Sequence, residues 1–214
     1  MLGPRFDEAM SYARGVHAGQ VRKGSGVPYM AHLLGVASLV LEDGGDEDEA
    51  IAGLLHDAVE DRGGRRRLDD IRERFGPHVA DIVEGCSDAI PEDGKPKAEW
   101  WGRKCGHLEH LAEVDGELRE PLLRVSMADK LSNLRATVRD AGRGDERFWA
   151  VFKHGAASQL WYYDRMIHLF HGRMAGSSML PELDALLDQL AELVPAGDVE
   201  LAARYRAEHC PPAA

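Results

Sequence analysis

The residues best suited to chemistry are concentrated in Leu54-Leu55-His56-Asp57-Ala58-Val59-Glu60-Asp61, where four titratable groups end an apolar run that begins at Ala50. Read as one helix, the run stacks His56 over Glu60 and Asp57 over Asp61, each pair four residues apart, in two adjacent rows. An adjacent His and Asp can share one metal ion, with the Glu and Asp a turn later reaching a water beside it. Taken alone, such a pair reads first as a helix end with solvated carboxylates and an incidental His, because burying unpaired charge is costly. A second run weighs against that plainer reading. Around Val125-Ser126-Met127-Ala128-Asp129-Lys130-Leu131-Ser132-Asn133-Leu134-Arg135-Ala136, helical projection puts Met127, Leu131, Leu134 and Val138 on one side. Leu122, Val125, Asp129, Asn133 and Ala136 fall on the other. A helix apolar on both faces runs through the interior, and an Asp embedded in one of its apolar rows needs a cation.

A third piece is Arg22-Lys23-Gly24-Ser25-Gly26-Val27-Pro28-Tyr29-Met30-Ala31-His32. Two cations on a glycine-bearing loop, leading into a helix start, make an anion cradle from side-chain charge and free backbone N–H groups. His32 by itself reads first as a satisfied core histidine. Jointly, His32, His56, Asp57 and Asp129 bring two imidazoles and two carboxylates from three helices. That mixed nitrogen and oxygen set suits Mn²⁺ or another borderline divalent metal, with positions left for water and a substrate oxygen. The lack of CxxC spacing among Cys86, Cys105 and Cys210 disfavours structural zinc and a disulfide framework, which points to a reducing compartment.

Helices must position these groups. Nearly every hydrophobic segment repeats at three or four residues and none sustains a period of two, so the spacing predicts an all-α fold. A first helix carries Phe6, Met10, Ala13 and His17 and ends at Gly19, and Pro28 opens a second that reaches Leu41. The acidic stretch 42–49 fits a loop followed by a helix N-terminus, and that helix is predicted to run from Ala50 to Glu60. Arg62 to Arg67 reads as a turn before a short helix closing at Phe75-Gly76, and Pro77 starts another to Cys86. Asp88 to Lys97 reads as a loop. Helices are then predicted over 98–113, 117–141 and 145–171, with a linker from Gly172 to Ser178 and one or two amphipathic helices after it.

The chain has 214 residues, 44% of them hydrophobic and 29% charged, which is an ordinary globular composition with room for one domain. Its formal charge of −11 excludes broad binding to nucleic acid or to an anionic membrane surface. The N-terminus lacks the apolar run of a signal peptide and no stretch of about 18 uncharged apolar residues occurs, so the expected location is cytoplasmic. Trp100, Trp101, Trp149 and Trp161 read as packing anchors, and His107, His110, His154, His168 and His171 as surface or core residues. Oligomeric state is not legible.

The combination of His32, His56-Asp57 and Asp129 resembles the HD metal-dependent phosphohydrolase superfamily, whose fold is a helical bundle. More narrowly, Arg22-Lys23 with Pro28-Tyr29 and His32, the run from His56 to Asp61, and Asp129-Lys130-Leu131-Ser132-Asn133-Leu134-Arg135 look like the hydrolase domain of the Rel/Spo alarmone enzymes. Phe75-Gly76-Pro77 and Arg103-Lys104 sit where that domain has them. The likeness covers residues 5 to 170. It implies a hydrolase domain over 1–175, with 176–214 as a C-terminal helical extension packed on the same domain. It also implies removal of the 3′-pyrophosphate of guanosine tetra- or pentaphosphate, giving GDP or GTP and pyrophosphate, with Mn²⁺ at the HD pair.

By that resemblance, His32, His56, Asp57 and Asp129 hold the metal, and Glu60 and Asp61 position or deprotonate the attacking water. Arg22 and Lys23 meet substrate phosphates, Asn133 helps hold the nucleotide, and Arg103-Lys104 add positive charge at the mouth. Tyr29 packs against base or ribose, or is an ordinary core tyrosine. Ala136 replaces a threonine that family members often carry near the nucleotide. The stand-alone members also leave room for a different nucleotide, such as an adenosine alarmone or the 2′-phosphate of NADPH. A catalytically silent nucleotide-binding module is the remaining alternative.

Overall fold

The fold is described from a computed structural model, over residues 2–90, 99–144 and 146–209. The element at the centre is α8 (Arg119–Ala141), whose buried residues include Leu122, Leu123, Val125, Met127, Asp129, Leu131 and Leu134, on both faces as the sequence predicts. Around it pack α2 (Met30–Glu42), α3 (Glu47–Leu55), α6 (Pro77–Cys86), α9 (Gly155–Arg173) and α10 (Leu180–Leu193). The outer elements are α1 (Pro4–Val16), α4 (Ala58–Asp61), α5 (Gly64–Phe75), α7 (Trp100–Glu113) and α11 (Ala196–Glu208). The described residues form helices and no strand beyond one isolated bridge, so the fold is an all-α helical bundle. None of these helices is long and apolar enough to cross a membrane.

Two close approaches set how the bundle packs. Gly53 of α3 faces α2 closely enough that a side chain there would meet Ala37 backbone at 3.4 Å; α2 carries His32, and His56 follows directly after α3. Gly85 of α6 lies against α8, where an added Cβ would come within 2.4 Å of Leu122 Cδ1. The acidic stretch behaves as read: Asp46 accepts from the Glu49 amide and Glu49 accepts from the Asp46 amide, a capping box that starts α3. Behind it Arg124 pairs with Asp43, Glu49 and Glu120, and Asp43 also accepts from Ser177 and Ser178. That cluster ties the approach to α10 onto the α2–α3 corner.

Five sequence expectations change. The run from Ala50 to Asp61 is not one helix, because α3 stops at Leu55 and His56-Asp57 form a turn before α4. An unbroken helix pairs the Gly53 carbonyl with the Asp57 amide. Here that carbonyl accepts from His56 Nδ1 at 2.8 Å, so the side chain competes for the helix's own acceptor. Second, Pro28 does not open α2. It bridges to Val21, and the amide of Arg22 donates to the Val27 carbonyl, pinching 20–29 into a tight loop. Third, Arg65 to Arg67 are helical, since Gly63 at φ +132° and Gly64 at φ +55° make the turn and α5 begins at Gly64. Fourth, 145–171 is divided into a 3-10 segment at Glu146–Val151 and α9. Fifth, Cys105 is disulfide-bonded while Cys86 is free, which removes the cysteine argument for a reducing compartment. Cys210 and most of the loop read over 88–97 lie outside the described residues.

Candidate active site

His32 comes from the first turn of α2, His56 and Asp57 from the turn after α3, and Asp129 from the middle of α8. Their polar atoms converge. His32 Nε2 lies 3.5 Å from Asp57 Oδ2 and 3.3 Å from Asp129 Oδ1, and His56 Nε2 lies 3.0 and 3.4 Å from the same two oxygens. Each ring is oriented from behind. His56 Nδ1 donates to the Gly53 carbonyl, and His32 Nδ1 pairs with Ser132 Oγ at 2.9 Å. With Nδ1 committed to the Gly53 carbonyl, Nε2 is the nitrogen that the His56 ring turns toward the two carboxylates.

Both Nε2 atoms are buried and have no hydrogen-bond partner. Two orphaned nitrogens facing two carboxylate oxygens are costly unless a cation satisfies them. The electrostatics agree. Burial by itself would suppress the charged imidazole of His56, but the carboxylates of Asp57 and Asp129 outweigh it and hold His56 well above its ordinary value. Burial likewise disfavours the charged carboxylates. Even so, Asp57 is held well below its usual value by His56 and His32, and Asp129 by Lys130 and the same two histidines. His32, His56 and Asp57 also have the mutual spacing of a metal-binding group. The donor set fits a divalent metal ion.

Above these donors opens a cavity of about 780 Å³. Tyr29, Lys130 and Asn133 line it and also touch the donors beneath. The Tyr29 hydroxyl donates to Asp57 Oδ2, Asn133 Nδ2 donates to Asp129 Oδ1 at 2.6 Å, and Lys130 Nζ donates to Asp129 Oδ2. Burial first, and the Asp57 charge next, push the Tyr29 phenol up, so it remains a donor. Arg22 reaches in from the 20–29 loop and donates to Asn133 Oδ1 at 2.7 Å, while exposed Lys23 lines the mouth. Glu60 and Asp61 line the same cavity from α4. Their rise past the broken helix comes from the turn at His56-Asp57, not from the stacked rows that an unbroken helix would give.

The lining also includes Trp100, Arg103, Lys104, Phe152, His154 and Tyr162. Arg103 and Lys104 both pair with Asp88, Lys104 at 2.7 Å. Although burial opposes its ionisation, the Asp88 carboxyl is pulled down to about 2 by Lys104 and Arg103. Trp100 thus faces the cavity, stacked on His154 at 4.9 Å, whereas Trp161 is the buried packing anchor expected. His107 is a core residue, kept neutral by burial and by Lys130 and Lys104, which bring it down to about 3. Ala136 lines the cavity where its helical projection puts it, and Thr137 stands beside it with its hydroxyl on the Asn133 carbonyl.

Sequence reasoning missed Gln20, Asp88, Lys130 and Ser132. For Lys130 a signal was present, because a cation adjacent to a buried Asp is its first available partner. Ser132 meets His32 across 100 residues, and nothing local announces it.

Residues 9–151 match the family profile described as HD domain. The guanosine-3′,5′-bis(diphosphate) 3′-pyrophosphohydrolase MESH1 of Xenopus tropicalis is 37% identical over 131 residues, which are 60% of this chain and 66% of that protein. A probable guanosine-3′,5′-bis(diphosphate) 3′-pyrophosphohydrolase of Synechocystis sp. is 46% identical over 127 residues, 59% of this chain and 16% of that one. The chain therefore spans just under two thirds of the first relative and about a sixth of the second. A solved structure of a metazoan ortholog of SpoT, a protein that hydrolyses ppGpp, superposes with a TM-score of 0.68 at 24% identity. The match covers 88% of this chain and 97% of that one, and it shows a shared fold. With the paired His56-Asp57 held between α2 and α8, and with the profile running through that turn and both of these helices, this chain belongs to the HD domain family.

Proposed function

We propose that the protein is a Mn²⁺-dependent (p)ppGpp hydrolase, cleaving the 3′ ester so that pyrophosphate leaves and GDP or GTP remains. The observation that carries this reading is the cavity arrangement: four convergent donors directly behind the lining residues Tyr29, Lys130 and Asn133, with the carboxylates of Glu60 and Asp61 and several basic side chains in the lining itself. His32, His56, Asp57 and Asp129 would hold the metal. A bound divalent ion supplies Lewis acidity to a phosphoryl oxygen and makes nearby water more acidic. Asp61, with Glu60 beside it, takes the proton of the attacking water. Asn133 and Arg22, already bonded to each other, hold the nucleotide's polar edge, and Tyr29 packs against its ribose. Lys23, Arg103 and Lys104 counter its phosphate charge. The partner required is a small-molecule nucleotide, and the compartment that suits such a substrate is the cytoplasm. Residues 1–175 supply this machinery, and 176–214 support it from outside.

The test is a nucleotide panel of ppGpp, pppGpp, ppApp and NADPH, each with Mn²⁺ and scored by kcat/KM. Pyrophosphate release from the guanosine tetraphosphate is expected to lead the panel and to stop in His56→Ala, whose purified protein should also hold less metal. Release that stays at the His56→Ala level in the wild type would reject the reading.

A further inference from the structure

Gln20 stands at the cavity edge, between α1 and the pinched loop, and its carboxamide is fixed at both ends. Its Oε1 faces two donors, Arg62 Nε at 3.2 Å and His17 Nδ1 at 3.0 Å. An amide oxygen that accepts twice leaves the NH₂ group only one way to point. That group donates to Asp61 Oδ2 at 2.7 Å.

The donors are themselves anchored. His17 is buried at 2% exposure, with its ring stacked on Tyr29 at 5.3 Å and 25°. Tyr29 in turn bonds Asp57. A continuous chain of contacts therefore runs from Asp57 through Tyr29, His17 and Gln20 to Asp61. The need for such a chain follows from the local fold. Asp61 ends a helix of only four residues and is solvent-exposed, so its carboxylate would otherwise sample several rotamers. Gln20 takes one oxygen of that carboxylate and leaves the other available.

We propose that Gln20 is a positioning residue that holds the Asp61 carboxylate toward the cavity, so that it receives the proton of the attacking water. This rests on the role given to Asp61 above. A neutral amide achieves the hold without adding charge. A Lys or Arg there would form an ion pair with Asp61 and make it a weaker base.

The experiment is a double-mutant cycle of Gln20→Leu and Asp61→Asn in the full chain with Mn²⁺, read as kcat and KM separately. The substrates are the nucleotide panel and bis(p-nitrophenyl) phosphate. Gln20→Leu is expected to lower kcat about tenfold with KM within about twofold, the signature of a lost transition-state arrangement. In the Asp61→Asn background the same change should cost less than about twofold. Thermal melting of each variant separates misfolding from misplacement, and Gln20→Glu, which repels Asp61 instead of donating to it, should be at least as damaging as Gln20→Leu. Losses that multiply in the double variant would overturn the proposal, as would a fall confined to KM. A wild type active on bis(p-nitrophenyl) phosphate alone removes the nucleotide assignment and leaves the cycle readable. A wild type active on none of these substrates overturns both.

Discussion

Asp129 divides its two oxygens between different tasks. Oδ1 faces both histidines and accepts from Asn133, while Oδ2 is taken by the Lys130 ammonium. Lys130 therefore leaves one oxygen of the pair aimed at the metal position, and it cancels part of the charge that burial makes expensive. Lys130→Met should weaken Mn²⁺ binding about 10- to 100-fold, the range typical of partners that orient metal ligands. Competition with a metal-sensing chelator reads this directly, and an unchanged Kd would show that Asp129 is oriented by Asn133 alone. The donors themselves were legible in sequence, because an Asp in an apolar row has few reasons to exist. Their partners were not. A hydroxyl such as Ser132, or a carboxamide such as Gln20, carries no charge that demands explanation, and each acquires its role only when a distant element is packed against it.

At the scale of elements, the break between α3 and α4 shows where periodicity misleads. The apolar pattern continues through Ala58 and Val59, both fully buried, so a three-to-four repeat sees one helix. The deciding interaction is the His56 side chain on the Gly53 carbonyl, which hydrophobic spacing does not report. Close helix approaches are equally silent in sequence, since Gly85 reads there as a weak helix residue. In the structure it is the point where α6 meets α8 at Leu122, about two turns before Asp129 on the same row. Gly85→Ala would place a methyl 2.4 Å from Leu122 Cδ1, and Leu122 is itself fully buried with no room to retreat. The expected cost is about 1–3 kcal/mol, against the gain of a few tenths to 1 kcal/mol that an alanine normally brings to a helix. Chemical denaturation measures it, and a stabilised variant would mean that α6 can shift outward without penalty.

For the whole molecule, the charge of −11 and the cavity have opposite characters, since the acidic excess lies outside while Arg22, Lys23, Arg103, Lys104 and Lys130 surround one opening. Repulsion of polyanions in general is thus compatible with admission of one small polyanion at one place. Whether α10 belongs to the same cooperative unit as the catalytic helices can be argued from its buried face. Leu180, Leu183 and Leu190 are buried against a core that α8 and α9 share, and Arg135 of α8 holds Glu182 with two bonds of 2.6 Å. Leu183 is fully buried, so Leu183→Ala should cost about 2–5 kcal/mol. In a chain of this size that lowers the melting temperature by about 4–20 °C. All four tryptophans precede residue 175, but Trp101 packs on Tyr205 and His209, so a Trp101→Phe background is used to make the fluorescence report mainly the region outside the C-terminal helices. If the chain unfolds as one unit, tryptophan fluorescence and far-ultraviolet circular dichroism will shift together in this variant. A fluorescence midpoint that stays at its wild-type value while helicity is lost earlier would make the C-terminal helices an independent appendage.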